Sequence, residues 1–289
     1  MLWEPEHGGT LATAVHQGAS IYWNAPTRED DVQGQIAMVE HVTGANYQGL
    51  ILSPDHALAL VTPVRRTIEH GVPTVVLGSP LAMPAGNDLW YILNDEDIGG
   101  RMAAERVAAL LHAKGTIAVL GIDPDIIGIV DRARSFEQYL AEHYPEIHVV
   151  ANQSGSFNLP HEQQVAEETL KEHPDIDAIV SMNATSTHGV LSAIGTASAT
   201  RIKVLAFDPD SLAFDNPSLD SLILEDTRRM GVEAVRVLLA HRRGESSPAV
   251  MKFAPVLVTR ENVNSPEVNR LTSMDWRPSL MRWKWSVGP

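Results

Sequence analysis

The chain has 289 residues, with 22 Lys and Arg against 36 Asp and Glu and a formal charge of −14. That balance repels phosphate backbones and, with no basic stripe, argues against nucleic acid as a partner. Cysteine is absent, which excludes thiol catalysis, disulfides and cysteine-based metal sites without deciding the compartment.

Strand and helix patterns alternate along the sequence. Ser20–Trp23 reads as a strand, followed by a helix over 30–43. Gly49–Ser53 is a strand with a helix over 55–70, and Thr74–Leu77 is a strand entered through Gly71-Val72-Pro73. Tyr91–Leu93 leads to an Ala-rich helix over 98–113, which Gly115 closes. Thr116–Ile122 is a near-continuous apolar run, the pattern of a parallel strand covered on both faces. It ends at Pro124, and after a loop a helix begins near Asp131 with Arg132 in its first turn. His148–Asn152, Ala178–Met182, Lys203–Phe207 and Ser221–Leu224 continue as strands. Helices over 160–172, 186–197 and 227–241 alternate with them, and an extended piece runs through Thr259.

Two successive runs of strand–helix units imply two parallel sheets covered by helices. One large doubly wound sheet is the competing arrangement. The Lys114-Gly115 joint favours two lobes, 1–113 with 226–254 and 114–225 with 255–289. In open α/β sheets ligands bind at the carboxyl ends of the strands. Here those ends carry hydrogen-bonding groups and a few aromatics, from Trp23-Asn24 and Asn94-Asp95 to Asn183, Asp208 and Glu225-Asp226. Any one of them alone reads as a cap or turn residue. Two such rims facing each other would form a polar cleft with stacking faces, suited to a small hydroxylated ligand.

The order and spacing of YWNAPTREDD at 22–31, GLILSPD at 49–55, GVPTVVLGS at 71–79 and NDEDIGGRMAAE at 94–105 begin a familiar series. RARSF at 132–136, SMNATSTHG at 181–189, VLAFD at 204–208, LEDTRRMG at 224–231 and PVLVTREN at 255–262 complete it. The chain resembles the periplasmic sugar-binding proteins of the ribose-binding type, whose fold is shared by the effector domains of lactose-repressor-like regulators. The resemblance implies an α/β fold of two doubly wound parallel-sheet lobes joined by a three-strand hinge. It implies a non-catalytic, extracytoplasmic protein without cofactor or metal, which closes on a sugar or polyol and presents it to a membrane permease or sensor. The alternative it carries is the effector-binding part of a transcription regulator.

Position by position, the resemblance makes Trp3 and Phe157 stacking aromatics. It makes Asn94, Arg132, Asn183, Asp208 and Glu225 the polar contacts, with Arg132 forking onto ligand oxygens. Asn94 stands where sugar binders have an aspartate, and Glu225 where ribose-type binders have glutamine. Two carboxylates against one arginine disfavour an anionic ligand and leave open an unusual sugar, a polyol or a partly cationic ligand.

The family's chain opens with a strand central to its first sheet, and an aromatic follows it. Met1-Leu2-Trp3 already stands at that aromatic, so the expectation is that the natural protein begins upstream, with a signal peptide and this strand. The tail Leu280–Val287 also alternates like a strand, though Arg282 and Lys284 fit a doubly buried one poorly; an edge strand or a dimer contact is the plainer reading. Other constellations carry less: His161-Glu162 lacks the second histidine of a zinc helix, since residue 165 is Val. Asp123, Asp125 and Asp131 read as solvated loop carboxylates, and no nucleophile–base pair is visible.

Overall fold

A computed structural model describes residues 3–28, 30–197, 199, 201–208 and 214–272. The tail at 280–287 and Met1-Leu2 lie outside the described residues. The amino-terminal region forms α1 (Trp3–His16), α2 (Val32–Gly44), β1 (Leu50–Leu52), α3 (Val61–Glu69), β2 (Thr74–Gly78) and β3 (Leu89–Asn94). Then come α4 (Glu96–Leu110), β4 (Gly115–Ile122), α5 (Ile127–His143), β5 (Ile147–Ser154), α6 (Leu159–Glu172), β6 (Ala178–Ser181) and α7 (Ala184–Ala197). The chain continues through β7 (Lys203–Phe207), β8 (Leu219–Leu224), α8 (Thr227–Arg242), β9 (Val250–Phe253), β10 (Val256–Thr259) and α9 (Pro266–Thr272).

These strands form two sheets, ordered β1-β2-β3-β9 and β10-β8-β7-β6-β4-β5. All pairings are parallel except β10 with β8. Helices cover both faces, which is why the strands read as continuous apolar runs. On the first sheet, Val39 of α2 and Val64 of α3 pack with Leu50, Val76 and Tyr91. On its other face, Met230, Ala234 and Val237 of α8 pack with Val75, Leu77 and Ile92. The second sheet has two larger cores, one under α6, α7 and α9 and one under α4 and α5.

The first crossing between lobes is at Asn94–Glu96, not at residues 113–114 as the sequence reading placed it. Ala103, Ala104, Val107 and Ala108 of α4 are buried with Ile117, Val119, Phe136 and Leu140, so α4 belongs to the second sheet. Its alanines leave room for close packing on α5, a tertiary preference that the Lys114-Gly115 joint does not report. The lobes are therefore 3–94 with 227–253, and 95–225 with 255–272. The chain passes between the two sheets again from β8 to α8, at Glu225-Asp226, and from β9 to β10, at Ala254-Pro255.

Two local expectations also change. Helix α5 begins at Ile127, before Asp131, because Ile126, Ile129, Ala133 and Phe136 bury one face of it in the core shared with Val107 of α4 and Val119 of β4. Arg132 accordingly stands in its second turn. Residues Ser20–Trp23 are not a strand: the first sheet ends at β1. Tyr22 is tilted against Tyr47 with ring centroids 5.7 Å apart, and Trp23 stacks on His7 at 4.2 Å. Between this stretch and β1 lies a cavity of about 400 Å³, bordered by Trp3, Glu6, Ile21, Val39, Ile51 and Leu238. Among the described residues no helix is long and apolar enough to cross a membrane.

Candidate functional site

The strand ends of the two sheets face each other, and contacts join them across the mouth of the cleft. After β1, the Ala57 N–H donates to the Asp125 carbonyl at 2.8 Å. After β2, the Ser79 hydroxyl accepts the N–H of Gly128 in the first turn of α5, at 2.9 Å. His56 Nε2 lies 3.5 Å from the Asp125 carboxylate. The stretch 55–60, expected as helix, is instead the loop that makes this contact.

Behind the mouth, a buried ionic cluster gathers at the crossings. Arg132 is 3% exposed. Its Nε and Nη2 donate to the two oxygens of Glu96, each at 2.7 Å, the fork-on-fork geometry that suits guanidinium and carboxylate. Nη2 also donates to Glu225 at 3.0 Å, and Nη1 donates to Asp208 and, at 3.3 Å, to the Met182 carbonyl. The guanidinium carbon stands 4.9 Å from the centre of the Phe207 ring. All five N–H groups of the arginine are thus engaged within the protein.

Local folding explains each position. The crossing at β3–α4 reads Asn94-Asp95-Glu96 and the one at β8–α8 reads Glu225-Asp226-Thr227. In each, an Asp side chain caps the helix, accepting from Ile98 N–H at 3.3 Å and Arg229 N–H at 3.1 Å. Capping fixes Asn94 and Glu96 on one turn and Glu225 on the other. Asp208 ends β7 with φ +51°, a left-handed backbone that Asp tolerates better than most residues. Helices α4 and α5 nearly touch at Gly100, where a Cβ would come within 2.5 Å of the Arg132 carbonyl. That approach brings Glu96 onto Arg132.

Electrostatics follow from burial. Glu96 is pushed up to about 7 because burial penalises its charge, with Arg132 opposing. Burial, and then the neighbouring Asp208, hold the Glu225 carboxyl well above its ordinary range, again against Arg132. Burial opposes the charge of Arg132, but Asp208, Glu96 and Glu225 together outweigh it and hold the guanidinium above its usual range. Within the cluster, two acceptors have no hydrogen-bond partner: Asn94 Oδ1 and Asp208 Oδ1.

Of the residues singled out from the sequence, Asn94, Arg132, Asp208 and Glu225 meet in this cluster. Asn183 adjoins it through Met182, but its amide donates to the Gly121 carbonyl and its oxygen caps α7 through Ser186 N–H, each at 2.8 Å. Phe157 is half-buried, and its loop is held by the Glu162 carboxylate, which accepts Ser156 N–H at 2.6 Å. Trp3 is not brought into the cluster; it opens α1 and borders the cavity beside β1. Glu96 was not singled out, and in sequence it reads as one more acidic residue in a helical first turn.

Comparison with known proteins agrees with this architecture. A model of the periplasmic binding protein domain matches residues 8–246. The D-allose-binding periplasmic protein of Escherichia coli is 28% identical over 217 residues, 73% of this chain and 69% of that one. The ribose import binding protein of Salmonella typhimurium is 24% identical over 218 residues, 74% of this chain and 72% of that one. A solute-binding protein of Agrobacterium vitis, solved with α-D-tagatopyranose, superposes with a TM-score of 0.87 at 23% identity, covering 93% of this chain and 94% of that one. With the match spanning most of the sequence and both lobes, the chain belongs to the periplasmic binding protein domain family.

Proposed function

We propose that this protein captures a small polyhydroxylated ligand, a sugar or polyol, between its lobes and releases it chemically unchanged to a membrane permease or sensor outside the cytoplasm. The observation that carries this reading is the cluster itself. Acceptors from two hinge crossings and one strand end are enclosed where the two sheet edges meet, and Asn94 Oδ1 and Asp208 Oδ1 lack hydrogen-bond partners. Sugar hydroxyls both donate and accept, so they pair with such oxygens. Arg132 positions the carboxylates. Phe157 and Asn183 are proposed as further contacts. Relatives named for ribose import, D-allose and xylitol binding support a sugar-like ligand and favour transport over the regulator reading.

A thermal-shift panel of pentoses, hexoses and polyols tests this. Ligand at one hundred times its Kd adds about 2.7 kcal/mol of apparent stability. At about 2–4 °C per kcal/mol for a protein of this size, that raises the midpoint by about 5–11 °C. A panel in which no member raises the midpoint sinks the reading.

A further inference from the structure

The cluster sets three carboxylates against one guanidinium, and every donor of that guanidinium is spent on protein acceptors. Asn94 turns its amide toward Glu96 and leaves Oδ1, in a side chain more than nine-tenths buried, without a partner. Asp208 Oδ1 is in the same position. The nearby crossing carboxylate, Asp226, is occupied by Arg270 at 3.1 Å and by its own helix. The site is therefore short of donors and, whenever its carboxyls are ionised, of positive charge.

A ligand contributing only neutral hydroxyls satisfies the acceptors but leaves the charge imbalance buried, a costly arrangement that is otherwise relieved by protonating a carboxyl. A protonated amine supplies up to three donors and the missing charge at once. Resting on the sugar-capture reading above, we propose that the ligand carries a protonated amine among its hydroxyls: an amino sugar or amino polyol. Glu96 and Glu225 are the residues that select for it. An ammonium placed against Asp208 Oδ1 and Asn94 Oδ1 would complete the ionic cluster, and hydroxyls would take the remaining contacts.

Matched pairs test the inference by calorimetry and thermal shift at pH 7. Each aminated hexose or polyol, such as glucosamine, galactosamine and 1-amino-1-deoxysorbitol, is measured beside its hydroxyl parent and its N-acetyl derivative. At least one amine should bind tenfold or more tightly than both counterparts. Glu225→Gln and, separately, Glu96→Gln should shrink that ratio to below threefold by weakening the amine. A parent sugar that binds as tightly as its amine overturns the inference and leaves sugar capture standing. If no member of any series binds, the inference falls, and the wider panel that includes pentoses decides sugar capture. Should either variant fail to fold, the wild-type ratio alone decides.

Discussion

Arg132 spends its whole hydrogen-bonding capacity inside the protein, so its removal is a structural event before it is a binding one. Arg132→Ala would leave Glu96, Asp208 and Glu225 buried without their counter-charge, at a cost of about 3–5 kcal/mol. The denaturant midpoint should fall accordingly, and Arg132→Lys should rescue only part of it, because an ammonium cannot fork onto Glu96. Asp208→Asn is the gentler probe. Asn tolerates the left-handed backbone there, so the fold should persist while affinity for the cognate ligand falls more than tenfold, read by thermal shift. The arginine was legible in the sequence as a charged group at a strand's carboxyl end. Its direction was not, because Glu96 is indistinguishable in sequence from an ordinary acidic residue at a helix start. Only the approach of α4 to α5 turns it into the partner of Arg132.

At the scale of elements, the packing of small residues decides what periodicity cannot. The carboxyl ends of the strands were readable from apolar runs and turn residues, but the lobe to which α4 belongs depends on alanines and Gly100 meeting α5. Gly100→Ala would set a methyl 2.7 Å from the Phe136 backbone nitrogen as well as against the Arg132 carbonyl, and neither backbone atom can turn aside. The helices must separate, which should cost about 1–3 kcal/mol in the unfolding midpoint and loosen Glu96 from Arg132. Helix α1 contains a different imbalance. Burial pushes the Glu6 carboxyl up to about 8 from 4.5, with the Ser53 hydroxyl only weakly opposing at 3.4 Å. The folded state holds the proton more tightly than the unfolded one. This contribution is fully present below pH 4.5 and is lost as pH rises through 8. Glu6→Gln removes the dependence, so it should stabilise the protein by about 3 kcal/mol at pH 7 and have little effect at pH 4. Thermal unfolding at the two pH values checks the sign.

Across the whole molecule, the two lobes meet through few contacts at the cleft mouth. The Ala57–Asp125 and Gly128–Ser79 hydrogen bonds join opposite lobes, and rotation of one lobe against the other breaks both. Ser79→Ala should therefore speed ligand release several-fold while barely changing the unfolding midpoint, as stopped-flow fluorescence would read. Small-angle scattering should show the radius of gyration falling when ligand is added. The division into two lobes could be read from the repeated strand–helix units. The loop at 55–60 read as helix because its partner, Asp125, lies in the other lobe, beyond any local pattern.

Two of the three connecting strands end in side chains of the ionic cluster, Asn94 and Glu225. The hinge and the ionic cluster are consequently adjacent in the chain. Arg132, Glu96, Asp208 and Glu225 move together as parts of the second lobe, so a torque that swings the lobes apart is felt in the cluster at Asn94, whose amide faces Glu96.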